Sequence, residues 1–212
     1  MNGPAFDGAG PWHAGERALQ ARTGTQERMQ MLGERVLRDH LIEQHRQFFP
    51  LLPFLLAGSV DAQGQPWASL LVGEPGFARA VDEHHLNVQA LPLAGDALAR
   101  ALRVDAPLGL LGIELPTRRR NRLNGWVDAV GADGFTLRVG QSFGNCPRYI
   151  QARDARFTGA PWQGPGFTRR EGGLDDEALR VVRNASTLFI ASAHPLAAHS
   201  DAASASQGVD VS

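Results

Sequence analysis

Two apolar segments that flank a tight turn constrain the fold of this chain most strongly. Residues 54–60 form a short apolar run, residues 61–64 (Asp-Ala-Gln-Gly) are typical of a turn, and residues 65–72 return as a second run. This pattern predicts a β-hairpin, because the loop is short and carries a glycine where the backbone reverses. Further strands are predicted at residues 86–90, 108–114, 118–130 and 135–143, the last two joined by a turn at 132–134. Six closely spaced strands with few helices favour a mainly β, α+β protein built as an antiparallel barrel.

Helices precede and interrupt the predicted strands. Thr23 and Gln26 have the spacing of a capping box, which predicts an amphipathic helix from here to about residue 38. A second helix is expected to end at Phe49, since Pro50 cannot continue it. Shorter helices are predicted within residues 95–103, 148–153 and 174–184. The predicted organisation is a flexible N-terminus and helix start (1–24), a barrel with N-terminal helices (25–153), a Gly/Pro-rich linker (154–173) and a C-terminal unit (174–212).

The C-terminal unit repeats a pattern from the barrel. Residues 187–194 align with residues 54–61, each after a helix, and residues 211–212 align with Ala68 and Ser69. The alternative is chance similarity between two apolar strands. From the repeated pattern we expect a partial, truncated second barrel-like unit. The loop at 195–207 within it is expected to be disordered because of its Ala/Ser content. The amides of residues 187–212 should exchange faster than those of the barrel at 54–143, unless the strand at 187–193 docks on a barrel edge or on a partner chain.

An arginine cluster lies on the fifth predicted strand. The cluster consists of Arg118, Arg119, Arg120 and Arg122. In an extended strand, alternation places on one face Arg118, Arg120, Arg122, Asn124 and Trp126. Guanidinium groups suit a phosphate, because their planar donors bind two oxygens at once and burial does not neutralise them. The alternative is a solvated edge strand whose charge opposes aggregation.

Composition excludes several kinds of chemistry. All 21 basic residues are arginine, so a Schiff-base lysine, a phosphate-loop lysine and a Ser-Lys dyad are absent from the sequence. The net charge of -1 and pI of about 6.7 make the basic strand a local feature and argue against a dedicated nucleic-acid binder. A single cysteine, Cys146, excludes an internal disulfide and fits a reducing compartment. With no signal pattern and no apolar run of roughly 18 residues, we expect a soluble cytoplasmic protein without a membrane partner.

Three segments carry a family resemblance. The hairpin at residues 60–71, with its D-x-x-G-x-P-x-x-S pattern, resembles the opening of the pyridoxamine 5'-phosphate oxidase-like split barrels. Residues 115–125 and 141–151 resemble the flavin-nucleotide-binding branch of that family. The resemblance covers residues 25–153 and, weakly, 174–212. It implies a six-stranded antiparallel Greek-key split barrel with N-terminal helices and a partial C-terminal repeat, binding FMN at a homodimer interface.

The resemblance also implies which residues contact the FMN. They are Trp67, Ser69, Leu70, Val88, Gln89, Arg120, Asn121, Arg122, Gln141 and Ser142. Two departures separate the chain from the oxidase itself: Ser69 stands where that enzyme has an arginine, and its phosphate-site lysine has no counterpart here. The substrate-binding C-terminal segment is not recognisable either. The resemblance therefore does not extend to activity on a vitamin B6 phosphate.

The expected function is a flavin-dependent oxidoreductase of unknown substrate, in which no residue is assigned as acid or base and no metal is expected. The alternative is a non-catalytic flavin carrier or sensor, or a barrel that binds haem through His84, His85 or His194. Binding of single-stranded nucleic acid with Trp126 as a stacking platform is a weaker third interpretation. Cys146 is interpreted as a buried small hydrophobe, with a redox role as the alternative.

Overall fold

The computed structural model describes residues 12–159, 172–198 and 208–212. Its helices are α1 (Ala14–Arg22), α2 (Gln26–Val36), α3 (Glu43–Phe48), α4 (Ala97–Ala101) and α5 (Asp176–Asn184), with short 3₁₀ turns at Phe49–Leu51 and Pro195–Ala198. Its strands are β1 (Phe54–Val60), β2 (Pro66–Val72), β3 (Ala78–Ala80), β4 (His85–Val88), β5 (Pro107–Glu114), β6 (Arg119–Val130), β7 (Phe135–Asn145), β8 (Ala191–Ala193) and β9 (Val209–Val211).

Strands β1 to β7 form one antiparallel sheet in the order β2-β1-β5-β6-β7-β4-β3. The mainly β, α+β class and the predicted hairpin are confirmed, with Phe54 opposite Val72 and Val60 opposite Pro66. Strand β3 was not predicted, because its three residues are too few to show alternation. Within the described residues the sheet has two edges, β2 and β3, and its hydrogen bonding does not close into a barrel.

The core lies between the sheet and the segment around α3. Phe48, Phe49 and Leu52 are fully buried there among side chains of the sheet. Burying each such side chain contributes roughly 1.5–3 kcal/mol, so this short segment covers the sheet at substantial gain. Gly112 of β5 permits the close approach, since a Cβ there would lie 2.6 Å from Leu52 and 2.8 Å from Phe48.

Two local predictions near the helices are wrong. The capping box expected at Thr23 and Gln26 does not form, because Thr25 is the N-cap residue of α2 and its side chain makes no capping bond. A capping box forms instead at α1, where the His13 ring accepts from the Glu16 amide and the Glu16 carboxylate accepts from the His13 amide. The helix predicted at 148–153 is also absent: Tyr149 has a φ of 71°, which a right-handed helix does not allow.

Strands β8 and β9 form a separate antiparallel hairpin that packs on the outer face of β1 and β5. Val211 is 0% exposed and packs against Leu56, Leu111 and Ile113. The predicted C-terminal strand at 187–193 is thus present as the shorter β8. It pairs with β9 and packs against β1 and β2 without forming strand pairs with them, so the predicted faster exchange of residues 187–212 remains a prediction. Of the predicted disordered loop, 195–198 is a 3₁₀ turn and 199–207 lies outside the described residues. Residues 1–11 of the predicted flexible N-terminus and residues 160–171 of the predicted linker also lie outside the described residues.

Docking of the C-terminal hairpin requires a glycine at position 109. A Cβ there would lie 2.5 Å from the backbone oxygen of Val209. We expect Gly109→Ala to push β9 from the sheet and to raise amide exchange in residues 208–212 about tenfold or more. Hydrogen exchange by mass spectrometry measures this, with Gly131→Ala as the control, since a Cβ at 131 meets nothing closer than 3.7 Å. Equal exchange in both variants would show that the hairpin does not depend on this contact.

Candidate functional site

Strand β6 presents alternate side chains to opposite sides of the sheet. Leu123 and Val127 lie in the core. Arg120, Arg122 and Asn124 instead line a cavity of about 690 Å³, which we call the arginine cavity. The predicted alternation is therefore confirmed from Arg120 to Val127, and it brings two guanidinium groups to one cavity.

The two arginines that open the cluster lie elsewhere. Arg118 precedes β6 and has a φ of 62°. Arg119 Nε donates to the Glu114 carboxylate at 2.7 Å, and its guanidinium lies 5.6 Å from the centre of the Phe48 ring. The hydrogen bond from Arg119 lowers the pKa of Glu114 below its ordinary value. Arg119 therefore has a structural set of partners and does not line the arginine cavity.

The N-terminal helices and the C-terminal hairpin close the arginine cavity. Trp12, Leu32 and Val36 contribute apolar surface, and Phe143 of β7 contributes an aromatic ring. Trp12 Nε1 donates to the backbone oxygen of Met29 at 3.1 Å, which fixes the indole against α2. The cavity thus combines an aromatic and aliphatic wall with a cationic strand.

Arg122 is already paired with an anion of its own chain. Its Nη1 donates to Asp210 Oδ2 at 2.6 Å, and its Nη2 donates to the Ser212 hydroxyl. The guanidinium also lies 6.0 Å from the centre of the Phe143 ring. With the Asn145 amide oriented so that both of its ends are satisfied, its oxygen accepts from Arg122 Nε at 3.1 Å. A ligand phosphate that binds Arg122 must therefore compete with Asp210.

Burial raises the pKa of Asp210 above its ordinary value, and the opposing effects of Arg122 and the Asn124 amide are smaller. The carboxylate is thus held at this position at a desolvation cost, which its ion pair with Arg122 offsets only in part. This pairing was not predicted. Positions 122 and 210 are 88 residues apart, and no local pattern links them.

Arg120 is the guanidinium with spare donor capacity. Its Nε is buried and has no hydrogen-bond partner among the described residues. Burial lowers the pKa of Arg120, the charge of Arg122 lowers it further, and Cys146 acts in the opposite direction. Asn124 Oδ1 is likewise buried without a partner in this part of the chain. An unmet donor and an unmet acceptor thus lie on the strand face that lines the arginine cavity.

Gln141 lies opposite Asn124 in the β6–β7 pairing and lines the same cavity. Asn121 and Ser142 do not. Asn121 is buried and lies on the side of the sheet away from Arg120 and Arg122. Ser142 is fully buried, with its hydroxyl 2.8 Å from His45 Nδ1. Five residues of β6 and β7 were predicted to contact the ligand. Three of them, Arg120, Arg122 and Gln141, line the arginine cavity, whereas Asn121 and Ser142 do not.

The residues predicted on β2 lie apart from the arginine cavity. β1 and β5 separate β2 from β6 in the sheet. Trp67 Nε1 donates to Asp61 at 2.9 Å and thereby braces the hairpin turn. The Ser69 hydroxyl donates to Asp96 at 2.6 Å, and Asp96 also accepts from the amide of Leu98 at the start of α4. Leu70 is 49% exposed.

The two predicted residues near the end of β4 lie neither in the arginine cavity nor on β2. Val88 is fully buried in the core. Gln89 is exposed, and its backbone N–H donates to the backbone oxygen of Phe77 at 2.7 Å. The described part of a single chain therefore unites Arg120, Arg122 and Gln141 and leaves the rest of the predicted set distributed over the sheet.

The predicted histidines differ in position. His85 Nδ1 lies 2.9 Å from Asp82, and His84 Nδ1 lies 3.4 Å from the backbone oxygen of Asp39. His194 lines the arginine cavity together with His13, and the centres of their rings are 5.1 Å apart. Among the described residues no three His, Cys, Asp or Glu side chains are grouped so that they could hold a metal ion.

Cys146 and Trp126 also differ from expectation. Cys146 is exposed and lines the arginine cavity, so the prediction that it is buried is wrong. Cys146 directly follows β7, which ends at Asn145. Trp126 lies 4.9 Å from the guanidinium of Arg138, which covers one face of the ring that a base would stack on.

His45 makes the stability of the fold dependent on pH. Burial lowers the pKa of His45 below its ordinary value of 6.5, and the charges of Arg38 and His40 lower it further. The unfolded chain binds the proton more readily, so the free energy of unfolding should fall as pH drops below 6.5. His45→Gln should show a flatter dependence between pH 5 and 7 in urea denaturation. Parallel pH profiles for both proteins would contradict this assignment.

Comparisons with known proteins give limited similarity. No family model and no curated protein match the chain. A crystal structure of a HupZ variant from Group A Streptococcus is similar at 11% sequence identity and a TM-score of 0.39, over 50% of this chain and 99% of that one. A likeness of this degree carries no inference about what the present chain does. In the part of the chain that the structure describes, no helix is long and apolar enough to cross a membrane.

Proposed function

We propose that the chain binds FMN, with the arginine face of β6 as the phosphate anchor. The observation that carries the proposal is that Arg120 and Arg122 both line the arginine cavity, and that the buried Nε of Arg120 has no acceptor among the described residues. A phosphate monoester supplies several acceptor oxygens and a double negative charge, which two adjacent guanidinium groups match. The resemblance of residues 115–125 and 141–151 to the flavin-nucleotide-binding branch supports FMN as the ligand.

The arginine cavity fits a flavin nucleotide in size and chemistry. Its volume of about 690 Å³ is within the roughly 300–1,000 Å³ of small-molecule sites. Trp12 and Phe143 offer aromatic surface for the flavin ring, and the amides of Asn124 and Gln141 offer polar contacts. Arg120 is expected to engage the phosphate first, because Arg122 is held by Asp210.

A homodimer and a split barrel are part of the proposal. Trp67, Ser69 and Leu70 lie on an edge strand, where a second copy could bring its own β2 beside the cofactor. Leu70 and Val72 expose apolar side chains on that strand, which supports an interface between copies. The β6–β7 pairing has two register shifts. Irregularities of this kind bend a strand, which supports the proposed closure into a split barrel.

We further propose a flavin-dependent oxidoreductase in the cytoplasm. FMN supplies the redox chemistry when it is bound, and the residues of this chain position it and set the charge around it. No acid or base is assigned among the described residues. Reduction of the bound flavin by NADH or NADPH, followed by steady turnover with an acceptor, tests catalysis. Absence of turnover with a broad acceptor panel would favour the carrier or sensor instead.

Haem binding is the second candidate, because His194 and His13 line the same cavity. A neutral imidazole is a common axial ligand of haem iron. The absorbance spectrum of the purified protein distinguishes the candidates: FMN gives a flavin spectrum with quenched fluorescence, whereas haem gives a Soret band. His194→Ala should abolish haem binding.

A further inference from the structure

A second cavity shares Arg120 with the arginine cavity and is not lined by the hairpin residue Asp210. It has a volume of about 330 Å³ and is formed by β1, β5, the start of β6 and the segments 148–153 and 187–189. We call it the outer cavity. It shares Arg120 with the arginine cavity, but neither Arg148 nor Arg153 lines the arginine cavity. The outer cavity is therefore a separate place for a ligand.

The charged side chains that line the outer cavity are all cationic. Arg120, Arg148 and Arg153 line it, and no Asp or Glu does. Arg148 lies 5.7 Å from the centre of the Tyr149 ring and has no carboxylate partner among the described residues. Arg153 donates at 2.6 Å to two neutral acceptors, one of which is the Ser186 hydroxyl. Three guanidinium groups thus line one small cavity, and no Asp or Glu side chain of the described residues lines it with them.

The remaining wall of the outer cavity is apolar. Leu111 and Ile113 form its buried floor, and Phe54, Leu115 and Ile150 pack around them. The outer cavity therefore combines cationic groups with hydrophobic surface. A ligand that satisfies both sides has an anionic group at one end and an apolar body at the other.

The cavity is held together by bonds between distant segments. The Arg153 bond to Ser186 joins the segment after β7 to the segment before β8. Ser212 lines the outer cavity, and its backbone exchanges two hydrogen bonds with Ile190, at 2.8 and 2.9 Å. The C-terminal hairpin therefore forms one side of the outer cavity as well as supplying Asp210 to Arg122.

We propose that the outer cavity binds a small organic acid, with its carboxylate at Arg120 and Arg148 and its apolar body over Leu111 and Ile113. The site goes beyond the proposed FMN site, because most of its lining residues have no part in the arginine cavity. Arg120 is common to both, so occupation of one cavity is expected to influence the other.

Naphthoate is a suitable probe, because it has one carboxylate and a rigid apolar body. Titration of the full chain by calorimetry is expected to show saturable binding of naphthoate and no binding of the neutral analogue naphthamide. Arg148→Gln should weaken naphthoate binding roughly tenfold or more, since a charge-assisted contact is lost. Arg28→Gln on α2 is the matched control, because Arg28 does not line the outer cavity.

Three results would overturn the proposal: no saturable naphthoate binding, equal binding of naphthamide, or unchanged affinity in Arg148→Gln. Leu115→Gln provides a second variant on the apolar side and should weaken naphthoate binding while the thermal midpoint stays near that of the wild type. FMN affinity is measured in the same variants. Arg148→Gln should leave it unchanged, so failure of the outer site is distinguishable from failure of the FMN site.

Discussion

Replacing Arg120 and Arg122 together with alanine is expected to weaken FMN binding by at least about a hundredfold, since each charge-assisted contact contributes roughly 1.5–3 kcal/mol. Riboflavin lacks the phosphate, so its affinity should change little. Fluorescence titration of both ligands measures the difference directly. Equal losses for FMN and riboflavin would place the phosphate elsewhere.

Two further variants sharpen this test. Arg119→Ala removes the neighbouring guanidinium, which pairs with Glu114 on the opposite side of the sheet, and should leave the FMN-to-riboflavin ratio unchanged. Asp210→Asn should act in the opposite direction from the double variant, because it removes the carboxylate that competes for Arg122. FMN affinity should rise relative to riboflavin. A fall in that ratio would show that Asp210 does not compete with the phosphate.

Gly125→Val is expected to destabilise the protein by about 3 kcal/mol or more. Gly125 lies beside a register shift of the β6–β7 pairing, and a Cβ there would be 1.9 Å from the backbone oxygen of Arg138. Because the contact is with backbone in the middle of the sheet, a side-chain rotation cannot relieve it. Urea denaturation measures the change in the free energy of unfolding.

Gly131→Val is the control for this effect. Gly131 is exposed at the end of the same hairpin, and a Cβ there meets nothing closer than 3.7 Å. The two variants have the same change in composition and differ in the space around the new side chain. Similar unfolding free energies for both would contradict the close approach of β7 to Gly125.

The predictable parts of the fold are those that local chemistry determines. The β1–β2 hairpin is an example. The Asp61 carboxylate accepts from the backbone N–H groups of Gln63 and Gln65, both at 2.9 Å, and Gly64 has a φ of 80°. All of these residues lie within the turn itself. The alternation on β6 is predictable for the same reason, since neighbours in sequence determine which side chains share a face.

The unpredicted parts depend on contacts between distant segments. Asp210 reaches Arg122 because the C-terminal hairpin docks on β1 and β5, and no pattern near either residue indicates this. The same applies to Trp12, which closes the arginine cavity from the N-terminal side. The resemblance suggested Trp67 and Val88 as neighbours of the arginines, whereas the order of strands in one chain places them apart.

The central claim is that the arginine cavity binds FMN, and its most direct test is an equilibrium titration of the purified full chain with FMN, followed by dialysis. We predict saturable quenching of flavin fluorescence and a flavin spectrum that is retained after dialysis, with both lost in the Arg120 and Arg122 double variant. Unquenched FMN that leaves the protein completely on dialysis would contradict the claim.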